Sequence, residues 1–367
     1  MTPAVRQARV AALVRAANAL VREAERPGCA WLPALVEHTG LSRQGVVHAL
    51  HAHLETHPTQ SELAMLIASA GTANRVQVVL SSNVFVGALR ALALAAAAAP
   101  EVLVRPSRRE PVFAQALMAS VQDHAVCRSV RFVSELTPEP GDVIHLYGSN
   151  QTIVGICAHL PDDVLVRAHG SGLGVAVIGA DADLSLAAAA LAADMVPFDQ
   201  HGCLSPRVAL VAAGRGAALG RAVGQALEGW NQRVAPGRFE REELGERTRY
   251  RDIVAAVGEV VAAGESVIGI AQAWGPPIVP PPGRNLHIVQ CDDAQAAQRW
   301  IEPIARHVAA IGVAGSAEDE TVASVVRRLP KARLSWLGAM QRPPFDGPVD
   351  QRYGVALAPR HVRQLLE

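Results

Sequence analysis

The chain has 367 residues, half of them hydrophobic, enough to bury a substantial globular core in two or three domains. Lys plus Arg equals Asp plus Glu at 34 each, so the formal charge is zero and no basic footprint for nucleic acid or an anionic membrane exists. Five scattered cysteines, with no close pair at metal-ligand spacing, read as reduced thiols and predict no metal site, while the lack of a secretory h-region or of an apolar run long enough to span predicts a cytoplasmic protein without a membrane span.

In chain order, Pro3 to Glu25 carries apolar side chains at helical spacing and ends in "RPG", a helix stop. Leu32 to Leu54 reads as helix, glycine turn, helix, superficially a DNA-binding pair, but the second helix carries one arginine and is too weakly basic to predict a nucleic-acid partner. From Val76 short β-branched runs alternate with alanine-rich helices: "VQVVL", a helix from Val84 to Ala99, "EVLVR", a helix from Pro111 to Asp123, "VRFV" and "DVIHLYG". "VLVRAHG", "GVAVIGAD" and a helix from Leu184 to Met195 continue the pattern, and strand–helix–strand repetition predicts parallel, doubly wound α/β sheets. A second α/β stretch runs from "RVALVAA" to about residue 335, interrupted by the proline-rich "GPPIVPPPG"; turn formers in "MQRPPFDGPVDQRYG" then precede a short strand-like tail.

Four segments in this order, "SSNVFVGALRALALAAAAAPEVLVRPSRREP", "IHLYGSNQTIVG", "VRAHGSGLGVAVIGADADLSLAA" and "FDQHGCLSPRVALV", resemble the aldehyde dehydrogenase superfamily, and within it the LuxC-type acyl-CoA reductases. The resemblance covers roughly Val76 to Gly354. It implies an aldehyde-dehydrogenase-like fold with a helical N-terminal region (1–72), a dinucleotide-binding domain (73–197), a nucleophile-bearing catalytic domain (198–335) and a C-terminal segment returning towards the cofactor domain (336–367), with cofactor and thioester held in the cleft between domains.

The same resemblance implies roles for particular residues. Cys203 takes the place of the nucleophile that attacks the acyl carbonyl, which requires an exposed loop, small neighbours such as Gly202 and Ser205, and a lowered thiol pKa. Asn83 matches the asparagine whose amide, with the nucleophile's own N–H, holds the developing oxyanion; a helix N-cap is its other reading. His169 stands where oxidising members carry the glutamate that activates water, so exchange with a thiol or acceptance of hydride replaces hydrolysis, and the imidazole is available as a proton shuttle or an aid to thiolate formation. Arg105, Ser107 and Arg108 replace a lysine-proline-serine-glutamate segment at the adenosine ribose. Two guanidinium groups there favour a 2′-phosphate, hence NADPH, although a solvated charged turn is the alternative. Gly148 and Ser149 match the loop that meets the pyrophosphate, or are turn chemistry alone. Phe345 is expected near the nicotinamide or acyl chain, or as a loop anchor.

The implied reaction is NADPH-dependent reduction of an acyl-CoA, with a fatty acyl chain as the favoured substrate, through a cysteinyl thioester. Alternatives are an NAD(P)-dependent aldehyde dehydrogenase, an acyl-phosphate reductase, or a catalytically degenerate scaffold that binds through its N-terminal helix pair. A homo-oligomer is implied, and a partner enzyme that donates the acyl group is compatible with the reading.

Overall fold

The computed structural model describes residues 1–352 and 354–367, which form two units: one from 1–39, 49–171 and 344–367, the other from 40–48 and 172–343. The N-terminal helices are α1 (Pro3–Ala24), α2 (Trp31–Thr39), α3 (Arg43–Ala52) and α4 (Gln60–Ala70). Their starts are written locally. Thr2 caps α1 ahead of Pro3, and Thr59 with Glu62 closes a capping box on α4.

The first unit continues through β1 (Arg75–Val79), α5 (Gly87–Ala98), β2 (Glu101–Arg105), α6 (Val112–Ala119), α7 (His124–Ser129), β3 (Val130–Phe132), β4 (Val143–Tyr147), α8 (Asn150–Cys157) and β5 (Leu165–His169). Its sheet has the order β3-β2-β1-β4-β5, with every pair parallel. Alanine explains α5: Ala88 to Ala98 is buried throughout, because small side chains let α1 and α4 approach from outside while the helix covers the sheet. No separate N-terminal domain results, since α1 packs on α5 and α6 within this unit.

The second unit holds β6 (Leu173–Ile178), α9 (Leu184–Met195), β7 (Pro206–Ala212), α10 (Gly216–Arg233), α11 (Arg241–Val257), β8 (Glu259–Ala263), β9 (Ser266–Gln272), β10 (Leu286–Cys291), α12 (Ala294–Ile301), β11 (Val308–Ala314), α13 (Glu320–Arg328) and β12 (Arg333–Trp336). Its order is β12-β11-β6-β7-β10-β9-β8, parallel except for the hairpin of β8 with β9. Leu191, Met195, Leu219, Val223 and Ile288 fill one face of the sheet; Val175, Leu210, Trp300 and Val325 fill the other.

Both units are doubly wound α/β structures, as the strand–helix alternation predicts. The expected boundary after residue 197 moves back to 171/172, because β6 pairs with β7 on one side and β11 on the other. The strand-like tail is also corrected. Among the described residues only Leu357 bridges to Val166, and the chain then forms α14 (Pro359–Leu366), where Pro359 suits the first turn while Val362 and Leu366, one turn apart, enter the core beside Ile153 and Ala168. Tyr353, inside the segment expected to cross back, lies outside the described residues. No helix among the described residues is long and apolar enough to cross a membrane.

Candidate active site

In the first sheet the connections run outward in opposite directions from β1 and β4. The carboxyl ends of those strands therefore flank a switch point, the place where open parallel sheets bind ligands. Asn83, Gly148 and Ser149 follow these two strands, while Arg105, Ser107 and Arg108 lie at the end of β2 and His169 ends β5.

Asn83 is exposed in the loop after β1, its N–H donating to Ser81 Oγ at 3.3 Å and its Oδ1 accepting from Ser82 Oγ at 3.4 Å. It does not cap α5, whose cap position is Val86 with no side-chain bond. Arg105 ends β2; beyond it Ser107 Oγ accepts from the Arg109 N–H at 3.2 Å, and Arg108 is exposed and makes no ion pair among the described residues. After β4, the Gly148 N–H donates to His169 O at 3.2 Å, joining the ends of β4 and β5. Ser149 caps α8, its Oγ accepting from the Thr152 N–H at 3.1 Å. Asn150 Oδ1 packs close over Gly170, 2.3 Å from where a Cβ would lie, and accepts from the Ser171 N–H at 2.8 Å.

The parallel register of β4 and β5 sets His145 opposite Arg167 and Tyr147 opposite His169. His169 stacks on Tyr147 with ring centroids 4.2 Å apart and an interplanar angle of 6°. Burial pushes its pKa down to about 4, opposed by Asp350 and reinforced by Arg167 and Arg352. His145 is likewise held well below the usual range by burial, and then by His169 and Arg167. His169 is therefore uncharged at neutral pH. Its Nε2, both ring nitrogens of His145 and the Tyr147 hydroxyl are buried with no hydrogen-bond partner among the described residues. Phe345 is 1% exposed under the Arg90 guanidinium, at 5.1 Å, and its N–H donates to Glu62 Oε1; the ring is a loop anchor within the first unit.

Cys203 lies in the second unit, half-buried in the turn that enters the central strand β7. Burial pushes the Cys157 thiol up to about 11 and that of Cys291 to about 12, which disfavours the thiolate form of both. The turn is closely tied. Ser205 N–H donates to Gly202 O at 3.1 Å, Gly174 N–H to Ser205 O at 2.8 Å, and Gln341 Nε2 to the buried Ser205 Oγ at 2.8 Å. Ser205 thus anchors the loop. A Cβ on Gly174 would lie 2.4 Å from Leu204 O, so only glycine lets β6 pass behind the turn.

Ahead of the cysteine, Phe198, Asp199 and Gln200 have φ of 55°, 46° and 69°, three consecutive non-glycine residues in the left-handed region. Each costs on the order of 1–2 kcal/mol, and buried polar contacts hold them there. Asp199 pairs with Arg284 at 2.7 Å and accepts from the Gly237 N–H at 2.8 Å. Gln200 donates to Pro206 O and Asn285 O and accepts from the Asn285 N–H, bridging the entries of β7 and β10. Replacing Asp199 by asparagine leaves the buried Arg284 charge uncompensated, and the unfolding free energy from urea titration is expected to drop by about 3–5 kcal/mol at unchanged m-value. A loss below 1 kcal/mol would mean that the ion pair does not hold the turn.

Sequence reasoning missed Asp199, Gln200 and Arg284, and it missed His201, whose ring lies between Phe198 O at 2.9 Å and Glu243 Oε1 at 2.8 Å. The one local signal was three polar residues, "DQH", between an apolar helix end and the cysteine.

The chain is similar to known proteins in sequence and in fold. The family model of acyl-CoA reductase (LuxC) matches residues 57–343. Among curated proteins, none matches the chain by sequence. Among solved structures, a NAD-dependent benzaldehyde dehydrogenase from Corynebacterium glutamicum is similar at TM-score 0.66 and 14% identity, over 95% of this chain and 82% of that one. The aldehyde dehydrogenase KauB from Pseudomonas aeruginosa is similar at 0.64 and 16%, over 91% and 76%. A gamma-glutamyl-gamma-aminobutyraldehyde dehydrogenase from Burkholderia cenocepacia is similar at 0.60 and 17%, over 91% and 76%. With a match across most of its length and this fold, the chain belongs to the acyl-CoA reductase (LuxC) family, oxidoreductases acting on acyl or aldehyde groups on the aldehyde dehydrogenase fold.

Proposed function

We propose that the protein reduces an acyl-CoA, with a fatty acyl chain as the favoured substrate, to the aldehyde at the expense of NADPH. The observation that carries this reading is the set of residues at the strand ends of the first sheet: an exposed asparagine after β1, arginines after β2, and at the end of β5 a histidine in place of a carboxylate.

The Cys203 thiolate adds to the thioester carbonyl, and the carbon–sulfur bond to coenzyme A breaks, its sulfur leaving with a proton. Asn83 donates its side-chain amide to the developing oxyanion, a term worth about 3 kcal/mol where such a donor is preorganised. Arg105, Ser107 and Arg108 fit a phosphorylated ribose, since Arg108 is exposed and carries no partner charge among the described residues, and Gly148 and Ser149 fit the pyrophosphate. When bound, NADPH supplies the hydride that reduces the acyl carbon. Cleavage of the bond to Cys203 then releases the aldehyde and restores the thiolate. Overall, acyl-CoA, NADPH and a proton give aldehyde, NADP⁺ and free coenzyme A.

The experiment is a panel of acyl-CoAs from two to sixteen carbons, following loss of reduced cofactor and identifying the product. Aldehyde formed with stoichiometric release of coenzyme A is expected; turnover of acyl phosphate alone, or oxidation of aldehyde without coenzyme A, would replace the reading.

His169 supplies a separate expectation. With His169 in place of the water-activating carboxylate and its ring stacked on Tyr147, the acyl enzyme should hydrolyse slowly. His169→Glu should increase free acid relative to aldehyde by about tenfold or more, within the range of general-base catalysis. An unchanged product ratio would detach this position from the acyl group.

A further inference from the structure

His201 sits two residues ahead of Cys203, with a Cα no more than about 7.6 Å away along the chain. Both of its ring nitrogens face oxygen: Nδ1 lies 2.9 Å from Phe198 O and Nε2 lies 2.8 Å from Glu243 Oε1. A carbonyl and a carboxylate only accept. A neutral imidazole has one N–H and one lone pair, so it would satisfy one of these partners and set a lone pair against the other; the imidazolium donates to both.

The carboxylate is fixed in place. Glu243 is the third residue of α11, and its Oε2 accepts from the Glu240 N–H at 2.8 Å in the capping box that starts the helix. Its other oxygen is thereby presented to the imidazole. The charged groups facing the ring are Glu243 from α11 and Asp199 from its own turn, and Asp199 is matched by Arg284. Burial lowers the imidazole's pKa, and the bonds to Glu243 and Phe198 and the fields of both carboxylates outweigh it, leaving the pKa above the ordinary histidine value. His201 and Glu243 are each 28% exposed at the side chain, so the pair is partly shielded from solvent.

We propose that Glu243 holds His201 as an imidazolium and that this cation, carried on the same turn as Cys203, is a positioning residue that favours the Cys203 thiolate. The proposal rests on Cys203 being the nucleophile. It gives that turn a positive charge of its own.

The test reads the thiol directly. In the full-length protein, alkylation of Cys203 by iodoacetamide is followed by peptide mass mapping from acid to alkaline pH, with exposed Cys127 in the same digest as the internal control. In His201→Gln the apparent pKa of Cys203 should rise by about one unit, making alkylation about tenfold slower below the midpoint, while Cys127 is unchanged. Glu243→Gln keeps an oxygen for the capping bond and removes the charge that retains the proton, so it should shift Cys203 in the same direction. An unmoved Cys203 profile in a folded His201→Gln protein overturns the proposal. If far-UV circular dichroism shows that this variant does not fold, Glu243→Gln decides by the same criterion. Failure of the underlying reading looks different: Cys203→Ser would retain aldehyde formation whatever the alkylation profiles show.

Discussion

Cys203→Ala is expected to lower aldehyde formation from acyl-CoA by at least about three orders of magnitude, since removing a covalent nucleophile leaves only binding and oxyanion stabilisation. Acyl-CoA labelled in its acyl group should mark Cys203 in the parent protein and nothing in the variant. The competing thiols make this a sharp test. Cys157 and Cys291 are buried with raised pKa values, and Cys127 is exposed on α7, where its Sγ lies 3.3 Å from Val121 O. Label on Cys127, or substantial turnover by Cys203→Ala, would remove the nucleophile assignment and with it the cysteinyl thioester.

The second large effect concerns the cofactor. A 2′-phosphate carries close to two negative charges, and a guanidinium fork meets it with charge-assisted hydrogen bonds worth about 1.5–3 kcal/mol each before screening. Arg108 is exposed, so the preference for NADPH over NADH should be roughly 1–3 kcal/mol, about one to two orders of magnitude in kcat/KM. Arg108→Glu should invert the ratio, because a carboxylate repels the phosphate and accepts from free ribose hydroxyls. The ratio of kcat/KM for the two cofactors in both proteins is the measurement. Equal use of NADH and NADPH by the parent would count against the site, and a ratio that Arg108→Glu leaves unmoved would take the residue out of the cofactor pocket.

Strands were legible wherever a β-branched run met turn formers. "EVLVR" coincides with β2, and "DVIHLYG" brackets β4. The α9 limits, Leu184 and Met195, were also readable, because Asp183 caps the start and Pro197 follows the end. The boundary at 171/172 was not, since α/β texture is the same on both sides and only strand pairing assigns β6 to the second sheet. Nor was the surrounding of His169: Tyr147 reaches it through strand register, which local periodicity does not encode. The turn before Cys203 hid its left-handed backbone because its support comes from Gly237, Arg284 and Asn285, far along the chain. The histidine that sequence reasoning singled out was the one in a family motif, whereas His201 becomes conspicuous only once α11 places Glu243 beside it.

The first unit is threaded from separated stretches of chain, and that order matters while the protein is being made. Its sheet is complete once β5 has been synthesised, but Val362 and Leu366 of α14 belong to the same core as Ile144, Val166 and Ala168. Until residues 344–367 emerge from the ribosome, that apolar face has Ile153 and Cys157 of α8 against it and lacks the part that α14 supplies. At about 5–20 residues per second the interval spent making the intervening second unit is roughly ten to thirty seconds, long compared with hydrophobic collapse. A nascent chain therefore carries an unfinished core on that face for most of the time its second half is being translated.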